Sequence, residues 1–202
     1  MQSNPPATAL SEFQGPFVAL DLETTTMQAT SARIVEMTLV ALDAEFTPKR
    51  GFTQRINPET PIPAEATAVH GIRDQDIQDA PRFRDVAGRV QGFLRGSTLI
   101  AYNGKRFDIP VLHRALREAG QLGIRQNPVL DPYLLFTQDA PRTLTAACQY
   151  YLGKPHPNAH ESAADVQAML DVLRIQLTRR RLARREALQW QQPAQEDVGV
   201  AA

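Results

Sequence analysis

The sequence of 202 residues holds one cysteine, Cys148, and one tryptophan. A single cysteine excludes an internal disulfide and a cysteine zinc site. Cys148 lies in the apolar run 144–148, where a thiol reads as a buried bystander. An excess of charge of one sign is missing too: 22 basic and 22 acidic residues give a net charge of zero. That balance excludes a strongly basic protein that coats DNA, but not an enzyme that touches only the end of a strand. No apolar run approaches the roughly 20 residues that span a bilayer. No basic head with an apolar stretch opens the chain, so no signal peptide is expected and the cytoplasm is the default location. Internal repeats are lacking. The remaining composition, 43% hydrophobic and 22% charged, is ordinary for one globular domain with a real core.

Residues 1–14 are polar and contain Pro5-Pro6, which predicts a flexible leader. Strands are expected over 17–22, 33–42 and 50–56, joined by short links as a meander, and again over 98–102 and 128–130. Helices are expected over 63–69, stopped by the capping glycine Gly71, over 82–94, over 108–119 with Pro110 in the first turn, over 143–152, and from Ser162 onward. Three strands followed by alternating helices and strands predict an α/β fold, with a mixed sheet covered by helices on both faces. In the last helix Val166, Met169, Leu173 and Leu177 recur at helical spacing and should dock on the sheet. Beyond Leu177 the stripe gives way to Arg179, Arg180, Arg181, Arg184 and Arg185. These arginines form either a solvated helix face or a track for phosphates. The expected units are therefore a leader (1–14), a main domain (15–178), a basic helical extension (179–190) and a disordered tail (191–202).

Three separated stretches carry chemistry-bearing residues. Asp21 and Glu23 are two apart on the first strand and share one face. Asp43 and Glu45 repeat that spacing without any assigned role, so context must separate the pairs. Asp21 ends an apolar run on a central strand, where open sheets place ligands. Thr24 and Thr25 follow, with hydroxyls and N–H groups able to hold a nucleotide. Asp108 opens a helix, where a carboxylate is favoured whatever its role because the N-terminus carries partial positive charge; Asn103 and Phe107 precede it. His160 lies in a loop and Asp165 five residues later, one turn into the last helix. His113 with Glu118 and His156 with Glu161 show the same interval. A loop histidine can swing toward a substrate, while a helical carboxylate is held. If Asp21, Glu23, Asp108 and Asp165 converge, each pair of charges about 4 Å apart costs about 4 kcal/mol at an effective dielectric of 20. Several such pairs rival a domain's whole stability of about 5–15 kcal/mol. Bound cations would remove the penalty, and an all-oxygen ligand set favours Mg²⁺ or Mn²⁺.

In this order the stretches resemble the motifs of the DEDDh-type 3′–5′ exonucleases, the family that includes the proofreading subunit of bacterial replicative polymerases. The carriers are Asp21-Leu22-Glu23-Thr24-Thr25, residues 102–108 from Tyr102 through Asn103 to Phe107 and Asp108, and residues 158–165 from Asn158 through His160 to Asp165. Val69-His70-Gly71-Ile72 resembles the family's substrate-side loop. The resemblance implies a ribonuclease H-like fold with a five-stranded mixed sheet and two Mg²⁺ ions, with Mn²⁺ as substitute. Asp21, Glu23 and Asp165 would hold one ion, Asp21 and Asp108 would serve the second, and His160 would act as general base. Thr24, Thr25, Met27, His70, Asn103 and Phe107 would meet the substrate. Two departures stand out: Thr26, followed by Met27, occupies the position of the usual glycine, and Tyr102 that of a common histidine.

The expected function is release of nucleoside 5′-monophosphates from DNA 3′ ends, single-stranded or frayed. Trimming of RNA ends or short oligonucleotides is the alternative, and a non-catalytic end-binding module the reading from another class. The expected partner is a nucleic acid 3′ end, DNA ahead of RNA, with no membrane. No polymerase- or clamp-docking peptide is legible, and the sequence does not fix the oligomeric state or a proofreading, repair or recycling role.

Overall fold

A computed structural model describes residues 15–135, 143–156 and 159–190, with backbone alone from 180 to 190. The expected leader and tail lie outside the described residues. Five strands form one sheet: β1 (Phe17–Thr24), β2 (Ile34–Leu42), β3 (Pro48–Arg55), β4 (Thr98–Ile100) and β5 (Val129–Leu130). Their spatial order is β3-β2-β1-β4-β5. β1, β2 and β3 pair antiparallel, whereas β1–β4 and β4–β5 are parallel. The helices are α1 (Ala64–His70), α2 (Asp74–Ile77), α3 (Phe83–Leu94), α4 (Asp108–Glu118), α5 (Leu144–Leu152) and α6 (Ser162–Trp190).

The alternation along β1 explains both layers. Val18, Leu20 and Leu22 point to one face, where they pack with Val90 and Leu94 of α3 and Val111, Leu112 and Leu116 of α4. Phe17 and Ala19 point to the other, against Val166, Met169, Leu170, Leu173 and Leu177 of α6. The helical stripe read from the sequence is thus the face of α6 that buries against the sheet. Side chains two apart share a face, so Asp21 and Glu23 continue the α6 side. β4 pairs with β1 only as far as Ala19 opposite Ile100. Beyond that point β1 runs on without its parallel neighbour, and the chain after β4 is free to turn toward Asp21.

The expected strands and α-helices fall within a few residues of the observed ones, with two differences. The fourth strand ends at Ile100, because residues 102–107 form a succession of turns in which Asn103 takes a left-handed conformation (φ 56°). A short helix, α2, was not expected; it is fixed by the Asp76 carboxylate, which accepts the Arg73 N–H at 2.9 Å. α1 ends at Gly71 with φ 76°, a conformation glycine adopts without penalty. α6 continues unbroken through 179–190. Cys148 is buried. No described helix is long and apolar enough to cross a membrane.

Candidate active site and metal centre

Asp21 and Glu23 of β1 meet Asp165 of α6: one carboxylate oxygen from each lies within 4.8 Å of the others. Asp108, the first residue of α4, is buried beside them. Leu22 N–H and the Asp108 N–H donate to the Asp108 carboxylate. The Leu22 bond ties this carboxylate at the α4 N-terminus to β1. The four carboxylates singled out in the sequence therefore come together.

Their protonation shows the strain of that meeting. Burial, then the neighbouring Asp108, Asp165, Glu23 and Glu36, pushes Asp21 well above the usual carboxylate range. Burial, followed by Asp165, Glu36 and Asp108, raises Glu23 to about 8. Burial raises Asp108 to about 7 against the pull of its backbone donors. A site of oxygen donors whose negative charge is uncompensated by any nearby cationic side chain among these causes suits a hard divalent cation.

The same shifts set a stability trend. With the ions chelated, the native state holds protons on Glu23 and Asp108 up to pH 7–8, whereas the unfolded chain releases them near pH 4. Their stabilisation is complete at low pH and disappears as pH rises through 7 and 8, so unfolding becomes easier in that direction. In EDTA the melting temperature is expected to fall between pH 6 and pH 9. Adding Mg²⁺ at about 100 times its Kd should restore about 2.7 kcal/mol, or roughly 5–10 °C for a domain of this size. At one fixed Mg²⁺ concentration the restoration should be larger at pH 8.5 than at pH 6. Differential scanning calorimetry checks both signs.

The two histidines near Asp165 are placed differently. His160 is exposed, with φ 71°, and its backbone N–H, not its ring, donates to Asp165 Oδ2 at 2.9 Å. Left-handed backbone is uncommon outside glycine, though histidine is among the residues enriched there. His156 is the buried one: its Nε2 hydrogen-bonds Asp165 Oδ1. Sequence reading passed over His156 because its interval to Glu161 looked accidental; its true partner is Asp165.

The substrate-side candidates surround this cluster. The Thr24 hydroxyl donates to the Thr26 carbonyl at 2.9 Å, and Thr25 exchanges backbone and hydroxyl hydrogen bonds with Arg33. Both threonines thus build the turn after β1, and the Thr25 N–H is already given to the Arg33 carbonyl at 2.9 Å. Thr26 is not among the described non-glycine residues with positive φ, so the turn does not need the family's glycine. Met27 is 83% exposed. His70 Nδ1 accepts the Ile72 N–H at 3.1 Å, which assigns the ring proton to Nε2. The buried Nε2 is directed at the Thr24 backbone, and burial, outweighing that bond, keeps His70 below the ordinary histidine range. Phe107 packs against the core on the α4 side. Arg179, first of the arginine run, lies over the rings of Tyr150 and Tyr151 at 5.4 and 5.1 Å; the side chains of Arg180, Arg181, Arg184 and Arg185 lie outside the described residues, as does Asn158.

Asp131, just after β5, was missed in the sequence. It accepts the N–H groups of Asn103 (2.8 Å), Tyr133 (3.1 Å) and Lys105 (3.4 Å). It thereby anchors the turns that deliver Asp108. Gly104 is pressed against Ala101 so closely that a β-carbon there would overlap the Ala101 side chain. Asp131→Ala leaves partly buried N–H groups unpaired and is expected to cost about 1–2 kcal/mol. Asp131→Asn keeps one acceptor oxygen and should cost about half as much, as urea unfolding would measure.

Comparison with known proteins adds three findings. The Exonuclease family model (RNase T type) matches residues 18–173. The chain is 32% identical over 100 residues to the DNA polymerase III subunit epsilon of Treponema pallidum, covering 50% of this chain and 46% of that protein. It is 29% identical over 160 residues to the corresponding subunit of Buchnera aphidicola, covering 73% and 67%. A DNA polymerase III subunit epsilon-like protein of Rhodobacter capsulatus is 33% identical over 132 residues, which cover 57% of this chain but 19% of that protein. The chain thus spans less than half the length of several curated relatives. Among solved structures, E. coli Exonuclease I in complex with a dT13 oligonucleotide superposes with a TM-score of 0.68 at 18% identity, over 87% of this chain and 44% of that one. That likeness establishes the fold as ribonuclease H-like.

Proposed function

We propose that this chain, which belongs to the DEDDh-type 3′–5′ exonucleases of the ribonuclease H-like superfamily, hydrolyses the terminal phosphodiester at DNA 3′ ends, single-stranded or frayed, and releases nucleoside 5′-monophosphates. The observation that carries the reading is the meeting of Asp21, Glu23 and Asp165 oxygens within 4.8 Å, with Asp108 buried beside them. Asp21, Glu23 and Asp165 would hold one Mg²⁺, and Asp21 with Asp108 a second, Mn²⁺ serving as substitute. When bound, such ions supply the positive charge that polarises a phosphodiester and makes water a competent nucleophile at neutral pH. His160 accepts the proton of the attacking water, the role of a general base. Its exposed loop leaves the ring free to turn inward once a strand end is seated. His70, whose ring lies against the Thr24 backbone, would border the terminal nucleotide, and exposed Met27 offers it an apolar contact. Thr24, Thr25, Asn103 and Phe107 would line the substrate side of the site. The exonuclease unit is assigned to residues 15–178, and 179–190 to a helical extension.

DNA is favoured over RNA because the named relatives are subunits of a DNA polymerase and the solved neighbour holds a thymidine oligonucleotide. A partner among polymerase or repair proteins is consistent with the same names. The test is a product assay over matched single-stranded DNA, mismatched duplex DNA and RNA with Mg²⁺ or Mn²⁺. Mononucleotides from DNA 3′ ends are expected. Faster release from RNA would move the substrate class, because the 2′-OH is what distinguishes the strands. No release from any 3′ end would end the reading.

A further inference from the structure

A buried polar chain runs behind the carboxylate cluster. Ser162, the first residue of α6, is fully buried, and its hydroxyl lies 2.7 Å from Glu36 Oε1 and 2.7 Å from Thr38 Oγ1. Thr38 Oγ1 lies 2.8 Å from Thr53 Oγ1. Glu36 Oε2 faces Arg55 Nε at 3.4 Å. Register places Glu36 directly opposite Glu23, and Thr38 opposite Asp21. The Ser162 hydroxyl donates to Glu36 Oε1, and each hydroxyl has one proton. Glu36 therefore fixes the direction of the whole chain: Ser162 donates to Glu36, Thr38 to Ser162, and Thr53 to Thr38. The chain ties the start of α6 to β2 and β3, one turn before Asp165.

We propose that Glu36 and Ser162 are positioning residues that set the Asp165 carboxylate against Asp21 and Glu23. This rests on the metal-site reading of the same cluster. Asp165 is carried by a helix whose first buried contact is this bond, and nothing in β1 bonds Asp165 directly among the described residues. Without the Ser162–Glu36 bond, α6 still docks through Val166, Met169 and Leu173. The fold should survive while the alignment of the three oxygens loosens.

The experiment is equilibrium Mn²⁺ binding to the full chain, followed by calorimetry or electron paramagnetic resonance, with thermal unfolding in parallel. Loss of a residue that orients a metal ligand typically weakens metal affinity about 10–100-fold. Ser162→Ala and Glu36→Ala are expected to weaken Mn²⁺ binding at least about tenfold while the protein still melts cooperatively. Glu36→Gln keeps an oxygen that can accept from Ser162, so it should bind Mn²⁺ more tightly than Glu36→Ala. Ser162→Ala and Glu36→Ala at parent affinity would overturn the inference alone. So would Glu36→Gln as weak as Glu36→Ala beside Ser162→Ala at parent affinity, which would assign the effect to charge. A parent chain that takes up no Mn²⁺, like an Asp21→Ala control, would overturn the metal-site reading and this inference with it.

Discussion

Asp21→Ala is expected to slow release of 3′-terminal nucleotides by at least about 10³-fold, the scale seen when a residue of a cooperating catalytic set is removed. Asp21 is central because burial and then the charges of Asp108, Asp165, Glu23 and Glu36 all act on it. In the proposed arrangement it alone serves both ions. Its removal should therefore abolish the effect of Mg²⁺ on melting as well as activity. The variant should remain folded, and in chelator it should be at least as stable as the parent, since a carboxyl group that is buried and crowded by other acidic groups has been removed. Single-turnover rates on a labelled oligonucleotide, with melting curves in EDTA, separate the two effects. A variant that keeps most of the parent's rate would show that the cluster is not the reacting centre.

His160→Ala is expected to lower kcat by about 10²–10⁴-fold, the usual contribution of a positioned general base. KM and Mn²⁺ affinity should stay within about threefold, because only the His160 backbone N–H touches Asp165 and alanine keeps it. The buried His156 provides the control. It holds Asp165 Oδ1 in this structure, so His156→Ala should disturb the carboxylate's placement and act mainly on metal affinity. The opposite ranking, with kcat falling further in His156→Ala than in His160→Ala, would transfer the role of base to His156.

Much of this arrangement is legible in the sequence because two simple periods carry it. Alternation along 17–24 separates the apolar side of β1 from the Asp21–Glu23 side, and the helical stripe from Val166 to Leu177 fixes which face of α6 meets the sheet. Together they dictate that Asp165 faces Asp21 and Glu23. Asp108 needed the resemblance, since a carboxylate at a helix start is common for electrostatic reasons alone. Three contributors escaped notice. Asp131 looks like any turn residue after a short strand, and only tertiary structure brings three N–H groups to it. His156 owes its significance to a helix that the local interval does not reveal. Glu36 did leave a signal: it is the charged residue inside the apolar strand Ile34–Leu42, on the same side as Thr38. A charge in such a strand needs a partner, and that partner, Ser162, lies far away along the chain.

The most direct measurement is anomalous diffraction from crystals soaked in Mn²⁺ with a bound 3′-terminal nucleotide. The account predicts ion density among the oxygens of Asp21, Glu23, Asp108 and Asp165, with two sites that share Asp21. Density elsewhere, or those carboxylates turned to separate places with no ion among them, would contradict it.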